Sequence, residues 1–165
     1  MRKLFLIPFI FLLGCHSKET TFNVPKTTDY ITVDGPYCSF QYPNSWERKK
    51  SPYNSETVID IQSHAYSDLH FVYMAIPDSL VDETKKGYEN PIKDSYFISS
   101  NIIYKNKKKY FKTITKTHGR PATCINIVCL EENRQYSFTY CYDEKLTPKD
   151  KIEEGLKALE TFNIK

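Results

Sequence analysis

Residues 122–142 read ATCINIVCLEENRQYSFTYCY. Two apolar-alternating runs, 122–130 and 135–142, meet around Glu132-Asn133. Successive side chains of a strand point to opposite faces. Ile125, Ile127 and Cys129 therefore share one face of the first run, and Tyr136, Phe138 and Tyr140 share one face of the second. Bringing both sets to one core requires an odd position to oppose an even one. A tight turn at Glu132-Asn133 does so, pairing Ile127 with Phe138 and Ile125 with Tyr140. The same register sets Cys124 opposite Cys141 on the other face. Directly opposed residues of an antiparallel pair stand near the separation a disulfide needs. The spacing predicts a Cys124–Cys141 bridge in an oxidising compartment.

Reading outward toward the C-terminus, Thr147-Pro148-Lys149-Asp150 predicts a helix start with Thr147 as N-cap. Ile152, Leu156 and Leu159 form its apolar stripe, and residues 162–165 read as a last strand. Upstream, 96–104 and 110–117 are strands joined by a basic turn, 105–109. Ser79-Leu80-Val81-Asp82 has the form of a capped helix start, predicting a short helix over 79–86 limited by Gly87 and Pro91. Residues 69–76 are apolar on both faces, which predicts a central strand covered on both sides. The run 57–63 alternates, 37–42 puts Cys38, Phe40 and Tyr42 on one face, and 30–33 is a short strand before the turn Asp34-Gly35-Pro36. Residues 48–55 read as loop. The fold class is α+β: a single domain over 30–165, a twisted antiparallel sheet with a C-terminal helix packed on one face.

The N-terminus carries a different signal. Arg2 and Lys3 precede an apolar run, 4–13, which ends in Leu12-Leu13-Gly14-Cys15. This resembles the signal peptide and lipobox of bacterial lipoproteins. The run is about half the roughly twenty residues a membrane-spanning helix needs. The resemblance implies cleavage after residue 14, a lipidated Cys15, and a polar tether over 15–29. Buried acyl chains contribute about 0.8 kcal/mol per methylene, so more than one chain makes a stable anchor. The expected location is the bacterial cell envelope, anchored by lipid to a membrane, on either its periplasmic or its outer side. Removing residues 1–14 leaves 21 basic against 20 acidic side chains, which excludes a global basic field for nucleic acid.

The stretch Phe40-Gln41-Tyr42-Pro43-Asn44-Ser45-Trp46 resembles the opening of PsbP-like domains. Their ending is similar too: a Tyr-rich strand, a capped helix and a terminal strand after an aromatic, as in 136–142, 147–160 and 162–165. The resemblance implies a twisted antiparallel sheet with helices packed on it. Bacterial relatives of that family include DcrB-like lipoproteins and chaperones of some type VI effectors, which act mostly as binding or assembly modules. It supplies no catalytic residue, and nothing in this chain points to chlorophyll proteins or manganese.

Other motifs add little chemistry. Cys38 and Cys129 fall on core faces and read equally as buried thiols or a second bridge. No Cys-x-x-Cys, Gly-x-Ser-x-Gly or phosphate-binding Gly loop is present. His64, His70 and His118 have no spacing that sets a nucleophile or metal. Lys105, Lys107, Lys108, Lys109 and Lys112 cluster at one hairpin. They read either as a contact patch for anionic lipid or an acidic partner, or as a solvated turn that protects an edge strand from pairing. The sole Trp, Trp46, reads as core packing.

These readings converge on a non-enzymatic, membrane-anchored module that binds an envelope protein, an immunity lipoprotein being one form of it. A lipid or small-molecule carrier with an aromatic cleft is the alternative. An envelope hydrolase is a third and lacks motif support. No cofactor or metal is expected, and the sequence specifies no oligomeric state.

Overall fold

The computed structural model describes residues 29–49, 58–92, 94, 96–117 and 121–165. The expected signal peptide, Cys15, most of the expected tether and His118 lie outside the described residues.

Among the described residues ten strands form two antiparallel sheets. The larger is built from β3 (Glu47–Lys49), β4 (Val58–His64), β5 (Ser67–Ala75), β6 (Phe97–Lys105), β7 (Lys108–Lys116), β8 (Ala122–Glu131) and β9 (Arg134–Asp143). Its order is β3-β4-β5-β9-β8-β7-β6. The smaller joins β1 (Tyr30–Asp34), β2 (Cys38–Pro43) and β10 (Asn163–Ile164), with β2 in the middle. The described residues also form two α-helices, α1 (Val81–Glu89) and α2 (Lys149–Thr161). Among the described residues no helix is long and apolar enough to cross a membrane.

The β8–β9 hairpin has the register its alternation predicts. Ile127 faces Phe138, Ile125 faces Tyr140 and Cys124 faces Cys141. Glu132 takes a left-handed conformation (φ 53°) at the turn. Those apolar side chains form one layer with Ile59, Ile61, Leu69 and Phe71 from β4 and β5. The small sheet and α2 close that layer from the same side. Phe40 of β2 lies 4.6 Å from the Phe138 ring, and Phe162 stacks on Phe138 at 4.7 Å. Trp46 is buried, stacks near Tyr140 and donates to Glu154 Oε2 at 2.9 Å, so its role is packing against α2.

Several local expectations are corrected. Residues 47–49, read partly as loop, form β3 on the edge beside β4. Neither helix has the predicted cap. Ser79 lies within a 3-10 turn, Asp78–Leu80, and α1 continues through Gly87 to Glu89. The Thr147 hydroxyl donates to the Tyr66 carbonyl, and α2 begins after Pro148. The strand predicted to be covered on both faces, β5, has Val72 only half-buried and Met74 exposed on its second face. Helix α1 instead sets Tyr88 on Phe111 of β7, which is buried together with its cross-strand neighbour Val128. An apolar strand records that something covers it, not which element does.

Candidate functional site

The face of the large sheet opposite α2 carries three features. The first is a polar row across the strands. Asp60, His70, Thr139, Asn126 and Thr113 are consecutive cross-strand partners on β4, β5, β9, β8 and β7. His70 Nδ1 lies 2.6 Å from Asp60 Oδ1, and Nε2 lies 3.3 Å from Asp68 Oδ1. The hydrogen bond to Asp68 is the largest influence on the imidazole and raises its pKa to about 8, against an opposing effect of burial. Thr139 donates to Asn126 Oδ1 at 2.7 Å, and Asn126 donates to Thr113 Oγ1 at 3.3 Å. The row brings paired carboxylates to one histidine on open sheet, away from the clefts described below; at its other end Thr113 is buried and lines the cleft beside α1. Among the described residues no group of three or more His, Cys, Asp or Glu side chains is placed to hold a metal ion.

The second is the disulfide. Cys124 and Cys141 are bonded, their Cα atoms 4.1 Å apart, and both are half-buried on this face. Cys38 and Cys129 are free and buried in the core. Burial pushes their thiols up to about 12 and about 11, so neither supplies a thiolate at neutral pH.

The third feature is the edge strand β6 with the helix beside it. Strand β6 ends the order of the large sheet, so among the described residues one side of its backbone has no strand neighbour. From Phe97 to Tyr104 it carries neither a charge nor a proline. Ile98 is 48% exposed, Ile102 47% and Tyr104 74%; Ile92, just before the strand, is 86% exposed. Natural edges are usually blunted by short length, charge, proline or a bulge; β6 has a bulge between Phe97 and Ser99, and its regular run from Ser99 to Tyr104 has none of these devices. The opposite edge of the same sheet follows that rule: β3 is three residues long, Glu47-Arg48-Lys49, all exposed.

Helix α1 borders this edge. Tyr88 stacks on Phe111 at 5.5 Å, and Lys109 reaches Glu89 Oε1 at 2.7 Å. Lys109 is the largest influence on the Glu89 carboxyl and holds it below its usual range. Between α1 and the strands lies a cleft of about 320 Å³, lined chiefly by Gly87, Tyr88, Pro91 and Phe97. A wider groove of about 670 Å³ runs from residues 88–91 along β6 as far as Ile102. Gly87 leaves the cleft unfilled, because a Cβ there would meet no atom within 4 Å.

The lysine cluster resolves into separate duties. Lys105 Nζ donates to the Glu160 and Phe162 carbonyls at 2.5 and 2.7 Å, satisfying the end of α2. Lys108 pairs with Glu131 at 2.7 Å and donates to the Lys165 carbonyl at 3.0 Å. Lys109 pairs with Glu89 and sits over the Phe111 ring. Lys107 is exposed, in a left-handed turn with Asn106. Three of the four lysines named for a contact patch thus hold the β6–β7 hairpin to its neighbours. The sequence allowed an edge strand at this hairpin guarded by lysines; it is the engagement of those lysines elsewhere that leaves the strand's own edge uncharged. The signal was present in the ten uncharged residues between Asp94 and Lys105, set beside the charged run at Glu47-Arg48-Lys49.

No protein-family model matches the chain, and no curated protein matches it. Its fold is similar to the solution structure of cyanobacterial PsbP (CyanoP) from Synechocystis sp. PCC 6803. The TM-score is 0.61 at 14% identity, over 84% of this chain and 94% of that one. A crystal structure from Bacteroides thetaiotaomicron VPI-5482 aligns with a TM-score of 0.49 at 12% identity, over 84% of this chain and 48% of that one. The first likeness shows the fold: α+β, a twisted antiparallel sheet with α2 packed on one face, in the PsbP-like arrangement.

Proposed function

We propose that this protein is a lipid-anchored, non-enzymatic binding module of the bacterial cell envelope, and that it engages a protein partner with the face formed by β6 and α1. Cys15 carries the anchor, and residues 15–29 are the tether. One observation carries the reading of the face. The uncharged β6 edge exposes Ile98, Ile102 and Tyr104 beside an open cleft, while the other edge of the same sheet is short and charged. Exposed apolar side chains in contiguous array mark interaction surfaces, and a free edge adds main-chain donors and acceptors. The Leu-Leu-Gly-Cys motif and a disulfide that needs an oxidising compartment support the envelope location.

A carrier would need space between α2 and the sheet. Phe40, Phe71, Phe138, Tyr140 and Phe162 occupy that layer, all nearly inaccessible. An immunity role is one form of the binding reading, and the identity of the partner decides it.

The test is a crosslinked pull-down from the host envelope, read by mass spectrometry. The wild-type chain is compared with Cys15→Ala and with Gly87→Leu, which fills the cleft. One dominant stoichiometric protein, lost in Gly87→Leu, is the expected result. Capture of the same proteins by wild type and Gly87→Leu would count against this face.

A further inference from the structure

The free edge of β6 is complementary to itself. An antiparallel pair of identical edge strands is related by a two-fold axis normal to the sheet, so both copies keep the same face upward. With Asn101 on that axis, Ser100 opposes Ile102 and Ser99 opposes Ile103; the bulge between Phe97 and Ser99 ends the regular pairing there. No two charges of like sign meet along this run. Of the charges nearest its ends, Asp94 is acidic, with Lys93 before it in the sequence, and Lys105 and Lys107 are basic. Exposed Asp94 precedes the strand and exposed Lys107 lies in the turn after it. Antiparallel pairing brings the Lys107 turn of one copy beside Asp94 of the other, and parallel pairing would not. The Asp94 carboxylate is already fixed there, accepting from the Tyr96 and Phe97 amides at 2.8 and 2.9 Å.

We infer that the occupant of the β6 edge is a second copy of this chain, joined as an isologous antiparallel dimer about residues 100–102. Two seven-stranded sheets then become one. Because the axis is normal to the sheet, the two α1 helices lie on the same face, one on each side of the junction. Their separate clefts become one trough floored by Phe97, Ile102 and Tyr104 of both copies. The trough is incomplete in one chain alone, since residues of the second copy supply half its floor. The inference rests on the reading of this face as protein-binding and gives that reading a two-fold site, which fits an extended or itself symmetric protein segment.

The experiment uses the full chain in detergent, with sedimentation velocity across a concentration series and single cysteines placed by substitution at positions 97, 100, 101, 102 and 105. The expected result is a dimer whose intermolecular disulfides form at 100, 101 or 102 and not at 97 or 105. Ile102→Lys, which sets like charges near the axis, should lose the dimer. Lys107→Glu, which faces Asp94 with its own sign, should weaken it. Both sites are exposed, so folding is not at stake. A chain that stays monomeric at every concentration overturns the inference, as does a dimer that persists in Ile102→Lys. A monomeric chain that still captures one envelope protein would remove the dimer and leave the binding function standing. A dimer crosslinking as described, with capture unchanged in Gly87→Leu, would support the dimer and remove the proposed binding face.

Discussion

Replacing Gly155 with Ala should destabilise the protein, although it exchanges the second-worst helix former for the best. In an open helix the exchange gains about 1 kcal/mol. Here a Cβ would fall 2.2–2.5 Å from three ring atoms of Tyr140. That ring has no room to yield. Tyr140 is 0% exposed, its ring lies 6.1 Å from Trp46 and 5.5 Å from Tyr142, and its hydroxyl donates to the Lys151 carbonyl at 2.8 Å. Overpacking a filled core costs about 1–3 kcal/mol. Loss of the hydroxyl's hydrogen bond as the ring shifts costs about 1 kcal/mol more. Set against the helix gain, Gly155→Ala should lose about 2 kcal/mol, or about 4–8 °C in Tm at this size. Gly87→Ala is the control. It makes the same chemical change in α1, where a Cβ meets nothing within 4 Å, and should gain about 0.5–1 kcal/mol. Urea unfolding of both variants, with matched m-values, reads the difference. A neutral or stabilising Gly155→Ala would refute the packing of α2 on Tyr140. A double-mutant cycle with Tyr140→Phe should show coupling above about 0.5 kcal/mol, because the two residues touch.

Three further outcomes are expected. Cys15→Ala should move the protein from the membrane to the soluble fraction on cell fractionation, and retention in the membrane would remove the anchor. Replacing Cys124 and Cys141 together by Ala should cost about 3 kcal/mol for a loop of this length, measured by denaturant unfolding under non-reducing conditions. Free thiols at both positions in native peptide maps would contradict the bridge. His70 has a folded pKa raised to about 8, above its unfolded value, so its stabilisation is complete below about pH 6.5 and is lost as pH rises through about 8. The group is 35% exposed, and solvent screening limits the effect to at most about 1 kcal/mol. Wild type should therefore lose more stability than His70→Asn between pH 6 and 9, and equal slopes would exclude the ion pairs.

The parts of the fold that could be read from the chain are those whose pattern is local. The β8–β9 register followed from a strict period of two on both sides of a short turn, because a one-residue slip would turn Phe138 and Tyr140 to the other face. The stripe of α2 was legible for the same reason at period 3.6. What was not legible depends on distant partners. Strand β3 is three charged residues with no alternation, and only its place beside β4 makes it a strand. Thr147 and Ser79 have the composition of caps, yet a carbonyl 81 positions away in the chain, at Tyr66, holds the first. Lys105, Lys108 and Lys109 form a basic run in the sequence. In space they meet the end of α2, Glu131 and Glu89. The open edge of β6 required the strand order, which no residue of β6 encodes alone.

The placement of β1 has a consequence for how the domain is presented. Tyr30 opens β1 on the small sheet, on the same side of the large sheet as α2, with the Lys157 ammonium over its ring. The β6–α1 face is on the reverse side. A leash drawn from residue 29 therefore leaves from the back of the domain relative to the cleft. Tied down at that point, the domain would work like a hand held palm outward. The β6–α1 surface would be turned away from the tie, and approach to it would not compete with the point of attachment.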